Sequence, residues 1–224
     1  MKVIFLSVLI LLTFSFEKHQ PVNSDYSSFI TTADKIRLYW KKDNAIISNF
    51  KKLKTIEPNL VFAMNGGMFT PEYAPVGLYV ENGKVISKLK TLNNPNVNFG
   101  LQPQAIFIIR NNKAEVIPAD QYKSTNVEYA TQSAPMLVIN SAINPQLPVG
   151  KKYIRNGIGI LPDGRILMAV SKLRINFHEL AQYFIANKCT SAMYLDGAIS
   201  EAYTGNEETY GSFGVMIGVV KCLR

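Results

Sequence analysis

Tight-turn chemistry between short apolar runs constrains this chain more than any other feature. Residues 77–80 and 84–87 flank Glu81-Asn82-Gly83, residues 105–109 and 114–117 flank Asn111-Asn112-Lys113, and residues 157–161 and 165–170 flank Pro162-Asp163-Gly164. Asn and Gly tolerate the positive φ that tight hairpins demand, and runs this short read as strands. Further strands are read at residues 36–40, 60–64, 192–195 and 213–220. Two helices complete the pattern. Residues 44–53 place Ile46, Ile47, Phe50 and Leu53 along one face, and residues 177–187 follow a capping-box variant, Asn176 with Glu179. Leu180, Phe184 and Ile185 of the second helix should face the core. Repeated hairpins with few helices predict an α+β domain of mixed, largely antiparallel sheets, rather than a doubly wound βαβ protein.

The chain has 224 residues, 47% hydrophobic and 18% charged, enough to bury the core of one domain. Lys2 precedes an uncharged run over residues 3–16, which reads as the apolar segment of a signal peptide and is short for a membrane span. Residues 1–20 are therefore read as a signal peptide or N-terminal anchor and residues 21–224 as one exported domain, periplasmic or secreted. A membrane partner is expected only through that first segment where it is not cleaved. The formal net charge of +8 reads first as a solubility feature, and it also suits an acidic partner such as a phosphate-bearing substrate or an anionic envelope surface. The lysines are scattered and no basic-aromatic module appears, so nucleic acid is not an expected partner.

Cys189 and Cys222 are the two cysteines, and in an exported chain they are expected to pair, tying a helix end to the terminal strand. The two histidines, His19 and His178, complete neither a metal-ligand spacing nor a nucleophile–histidine pair. Chemistry is left to carboxylates, hydroxyls, amides and arginines.

Two apolar strands deliver polar residues and glycines to their ends. Residues 60–64 run into Asn65-Gly66-Gly67-Met68-Phe69, and residues 192–195 run into Asp196-Gly197. Residues without a Cβ at a strand exit let backbone N–H groups close on a ligand. Each dipeptide alone reads as an ordinary turn; the two together suggest one shared site.

The order of motifs is recognisable. Asn65-Gly66-Gly67-Met68-Phe69 is followed by Pro75-Val76-Gly77-Leu78, Asn98-Phe99, Gln132-Ser133-Ala134-Pro135, Arg155-Asn156-Gly157, Ser171 and Leu195-Asp196-Gly197-Ala198-Ile199-Ser200. This series resembles the phosphodiester glycosidase family over about residues 58–221. Relatives often carry Gly-Gly where this chain has Ala198-Ile199, and Pro-Asn-Gly-Val-Phe where it has Pro103-Gln104-Ala105-Ile106-Phe107. The resemblance implies an exported hydrolase that cleaves the bond between a sugar anomeric carbon and a phosphodiester in an envelope or extracellular glycan.

Glycosidases ordinarily use two carboxylates. Here the leaving group is a phosphate monoester of low basicity, so one carboxylate and a set of donors for phosphate suffice. The resemblance assigns Asp196 to the anomeric centre, Arg155 to the phosphate through paired hydrogen bonds, and Asn65 to an orienting amide. Gly66, Gly67 and Gly197 offer backbone N–H groups; Ser133, Ser171 and Ser200 offer hydroxyls; Tyr203 offers a ring for a pyranose face. Glu72 and Glu201 are reserve carboxylates, and Tyr73, Tyr79 and Tyr194 are further aromatics, with Tyr79 and Tyr194 read as core. The expected partner is a sugar-phosphate or glycan. No cofactor is assigned, and an all-oxygen site leaves dependence on a divalent cation open. Two rival readings are a non-catalytic carbohydrate- or phosphate-binding envelope protein and a phosphodiesterase that cuts P–O.

Overall fold

The computed structural model describes residues 25–196, 199–205 and 210–221. Its architecture is α+β, with three antiparallel sheets meeting around a common core. A six-stranded sheet runs in the order Tyr26–Thr31, Ile166–Ser171, Asn156–Ile160, Ser191–Tyr194, Met136–Ile139, Ala142–Ile143. A five-stranded sheet runs Lys84–Ser87, Tyr79–Glu81, Val127–Ser133, Ala105–Arg110, Lys113–Pro118. A four-stranded sheet runs Ala202–Tyr203, Leu60–Asn65, Met216–Val220, Ile36–Tyr39. The three hairpins expected from turn chemistry are present, with Asn82, Asn111 and Asn112 in the left-handed region and Gly83 and Gly164 beside them.

Side-chain alternation builds the layers. Phe107 and Ile109 face the central core with Ile158, Met193, Phe62 and Ile217, while Ile106 and Ile108 form a smaller cluster on the outer face of the five-stranded sheet. Helix α1, Phe50–Ile56, covers the four-stranded sheet through Phe50 and Leu53. Helix α2, Phe177–Ala186, covers the six-stranded sheet through Leu180, Ala181 and Phe184. Its capping box is complete, with Glu179 N donating to Asn176 Oδ1 at 2.9 Å and Asn176 N donating to Glu179 Oε2 at 2.7 Å. Glycines in the facing strand let α2 approach. A Cβ on Gly159 would lie 2.7 Å from Phe184 Cδ1 and 2.8 Å from Cys189 Sγ.

The first helix is shorter than its pattern suggests. Asp43 and Asn44 both adopt positive φ and close a hairpin between Lys41–Lys42 and Ala45–Ile46, so α1 starts only at Phe50, capped by Asn49. The strands Tyr26–Thr31, Val127–Ser133 and Met136–Ile139 are not among those read from the sequence, although Asn126 and Asn140-Ser141 adopt positive φ beside the last two, and Met136–Ile139 closes a hairpin with Ala142–Ile143. Ile185 is only half-buried. Cys189 is buried and its thiol is pushed up to about 12 by desolvation; Cys222, and with it the expected disulfide, lies outside the described residues. The signal or anchor segment also lies outside them.

Candidate active site

Two sheets bring their strand ends together at Asn65 and Asp196. Asn65 ends the strand Leu60–Asn65, and Asp196 stands two residues beyond the strand Ser191–Tyr194. The Asn65 Nδ2 group donates to the Asp196 carbonyl at 2.7 Å. The Asn65 Oδ1 atom accepts from Glu201 N at 3.1 Å and from Asn156 Nδ2 at 3.1 Å. Asn156 Nδ2 also reaches the Asn65 carbonyl at 2.7 Å, and Ser200 Oγ donates toward Asn156 Oδ1 at 3.2 Å and the Asp196 carbonyl at 3.1 Å. Asn65, Asn156 and Ser200 are buried, while Asp196 is half-buried and is the member of the knot that reaches the surface.

Arg155 enters through strand register. Gly157 pairs with Tyr194, and Leu195 N reaches the Asn156 carbonyl at 3.3 Å, so the same register carried two residues further sets Arg155 opposite Asp196. Alternation sends Asn156 into the central core and Arg155 to the face covered by α2. There the guanidinium lies 3.8 Å from the Phe177 ring centroid and 5.3 Å from that of Tyr194. Arg155 Nε donates to the Ile175 carbonyl at 2.9 Å and Nη2 to the Lys151 carbonyl at 2.8 Å, whereas Nη1 is buried with no hydrogen-bond partner. Desolvation lowers the arginine's pKa and the Tyr194 phenol opposes that shift. The guanidinium is thus clamped by two backbone carbonyls and aromatic ring faces, with the Tyr194 side chain also acting on it.

The remaining expected residues divide by what they touch. Gly66 N donates to the Val215 carbonyl at 2.7 Å, so that N–H serves the fold and is not offered to a ligand. Gly67 is required by packing, because a Cβ there would lie 2.5 Å from the Gln132 carbonyl oxygen. Ser133 Oγ donates to the Leu195 carbonyl at 2.6 Å and is fully buried, which makes it a brace for the strand end carrying Asp196. Ser171 Oγ accepts from Arg155 N at 2.9 Å. Tyr203 pairs with Ala63 across the edge of the four-stranded sheet and is half-buried beside the α1 cluster. Gly197 lies outside the described residues. Of the reserve carboxylates, Glu72 is exposed, while Glu201 accepts from Gly211 N at 3.1 Å next to the Asn65 amide. Tyr73 stacks on Phe69, and Tyr79 and Tyr194 are core residues as expected.

Asn156 and Gln132 stand in the motif series without an assigned role, and Phe177 lies outside it. Asn156 is the polar exception in the otherwise apolar strand Asn156–Ile160, a signal available in the sequence. Gln132 Oε1 accepts from Leu78 N at 2.8 Å and Lys90 N at 3.1 Å, fastening two loops beside Gly67 and Gly77. A separate cleft lined by Asp34, Arg110, Lys113, Asp163 and Arg165 sits at the opposite end of the Asn156–Ile160 hairpin, and two of its cations are paired with Glu115 and Asp163. Among the described residues, no group of three or more His, Cys, Asp or Glu side chains is placed to hold a metal ion.

Two sheets thus converge on a knot of the Asn65 and Asn156 amides and the Asp196 backbone carbonyl, with a buried arginine on the neighbouring strand. The chain belongs to the phosphodiester glycosidase family, whose model matches residues 58–216, and it is a glycosidase-type hydrolase. It is 32% identical to the uncharacterized protein YigE of Escherichia coli (strain K12) over 182 residues, covering 76% of this chain and 70% of that one. The fold is similar to the zebrafish N-acetylglucosamine-1-phosphodiester alpha-N-acetylglucosaminidase catalytic domain, auto-inhibited by its pro-peptide, with a TM-score of 0.63, 12% identity and coverage of 91% and 86% of the two chains. It is also similar to a putative exported protein of Burkholderia pseudomallei K96243, with a TM-score of 0.57, 12% identity and coverage of 88% and 74%.

Proposed function

We propose that this protein is exported and hydrolyses the glycosidic C–O bond of a sugar-1-phosphodiester in an envelope or extracellular glycan. The observation that carries the reading is the hydrogen-bonded junction of Asn65 with Asp196, at the end of the strand that pairs with the one following Arg155. Asp196 acts at the anomeric carbon, where positive charge develops as the C–O bond breaks. Arg155 supplies positive charge to the phosphate side of the site, and that charge stabilises the departing monoester. Water supplies the new oxygen at the anomeric carbon, and the phosphate leaves as an anion whose low basicity reduces the demand for a general acid. Asn65, Asn156, Ser133 and Ser200 hold the strand end that presents Asp196. Export is supported by the uncharged run over residues 3–16 behind Lys2 and by the description of the Burkholderia relative as exported.

The test is a screen of the purified protein against sugar-1-phosphodiesters in isotopically labelled water, with and without a chelator. Label on the released sugar is expected. Label on the phosphate would make the protein a phosphodiesterase, and sugar-phosphate binding without turnover would make it a binding protein.

A further inference from the structure

Beside Arg155 the backbone brings two exposed segments together. Tyr153 N donates to the Ile175 carbonyl at 3.0 Å and Ile175 N returns to the Tyr153 carbonyl at 2.8 Å. Ser171 is bonded to Arg155 on the same edge, so residues 172–174 bulge out between the two contacts. This gathers Lys151, Lys152, Lys172 and Arg174, all exposed, around the chain that holds the guanidinium. Interleaved with them are Val149 at 95% exposure, Leu173 at 58% and Tyr153 at 42%. The acids nearby are Glu179, which pairs with Lys152 at 2.6 Å, and Asp25. Lys151, Lys172 and Arg174 take part in none of the ion pairs among the described residues.

Cations alone would suit a soluble polyanion. Exposed aliphatic and aromatic side chains among cations suit a surface that offers phosphate headgroups over an apolar interior. The path of the chain points the same way. Lys172 N donates to the Asp25 carbonyl at 2.7 Å, so the described chain begins at this patch. Residues 17–24 separate Asp25 from the apolar run of residues 3–16, a span of roughly 30 Å at most when fully extended. A run held in a bilayer would therefore keep this face beside the membrane.

We propose that the surface formed by Val149, Lys151, Tyr153, Lys172, Leu173 and Arg174 docks on an anionic lipid bilayer. Resting on the hydrolase reading above, the placement presents the Arg155–Asp196 site to a glycosyl phosphodiester carried in that bilayer. The experiment compares the full chain with its Lys172→Gln/Arg174→Gln and Leu173→Ser variants on phosphatidylcholine vesicles, with and without phosphatidylglycerol. The apolar run contributes equally to both vesicle types, so the readout is the preference for anionic vesicles. That preference is expected to be salt-sensitive and to fall by on the order of tenfold or more in the double-charge variant, while Leu173→Ser weakens vesicle binding more modestly. Equal binding of wild type to both vesicle types, or an unchanged preference in the charge variant, overturns docking. Capture of soluble poly(glycerol phosphate) without any preference for anionic vesicles also overturns it, in favour of a polymer. Turnover of a soluble sugar-1-phosphodiester is expected to be unaltered in these variants. Its absence in wild type bears on the hydrolase reading alone.

Discussion

The side-chain amide of Asn65 donates to the backbone carbonyl of Asp196 at 2.7 Å, joining strand ends that lie 131 residues apart in sequence. Both oxygen lone pairs of that amide are occupied by Asn156 and Glu201. Asn65 therefore acts by positioning Asp196, and the orientation of its amide is dictated by donors on one side and an acceptor on the other.

Removing one partner of this knot should damage both fold and rate. Asn156→Ala leaves the Asn65 carbonyl and Oδ1 short of a donor in the core, a cost of about 1–3 kcal/mol. Asn65→Asp turns the group facing the Asp196 carbonyl from donor to acceptor and should be worse than Asn156→Ala. Melts and kinetics on the single and double variants should show coupling of about 0.5–3 kcal/mol between Asn65 and Asn156, whereas strict additivity would separate them.

Asp196→Asn should lower kcat by at least roughly a hundredfold and leave sugar-phosphate binding largely intact, because charge at the anomeric centre develops only in the transition state. Arg155→Ala should raise KM and also lower Tm, since the guanidinium packs on Phe177 and ties the Lys151 and Ile175 carbonyls. A folded, nearly fully active Asp196→Asn protein removes that carboxylate from the mechanism. An Arg155→Ala protein that is merely less stable makes the arginine a structural clamp.

Gly67 and Gly164 offer a paired comparison. A Cβ at Gly67 meets the Gln132 carbonyl at 2.5 Å and Thr131 Oγ1 at 2.6 Å, whereas Gly164 has positive φ and no atom within 4 Å of that position. Gly164→Ala should therefore cost about 1 kcal/mol, from backbone conformation alone. Gly67→Ala must push apart the loop and the strand beneath it, costing about 1–3 kcal/mol and reducing activity through the neighbouring Asn65. Chemical denaturation of the two variants decides this, and equal losses would contradict it.

Glu81 supplies a pH signature away from the site. Burial raises its carboxyl above the usual range, against hydrogen bonds from the Tyr79 hydroxyl at 2.5 Å and the Trp40 backbone. A group raised in the folded state contributes stability below its unfolded pKa and loses that contribution as pH climbs through the folded value. Glu81→Gln keeps an acceptor for Tyr79 and removes the ionisation. Its Tm relative to wild type should rise as pH climbs from the ordinary carboxylate range through the raised value at which Glu81 ionises in the folded state. A difference independent of pH would rule the carboxyl out as the cause.

Local chemistry determined the hairpins, because positive φ at Asn82, Asn111, Asn112 and Gly164 depends on the turn residues themselves. It also determined the capping box of α2 and the two strand exits. The start of α1 was misread because apolar spacing at Ile46, Ile47 and Phe50 imitates a helix, while the turn at Asp43-Asn44 had already committed the preceding residues to a hairpin. Only the tertiary structure decided how the motif residues divide. Asn65 and Ser133 look like ligands for a substrate until long-range contacts occupy their polar atoms. Arg155 and Asn156 are neighbours in sequence, yet strand alternation sends one to the α2 face and the other into the knot. Turn geometry follows from a few adjacent residues. The satisfaction of a buried polar atom depends on partners contributed by another sheet, and no local spacing encodes it.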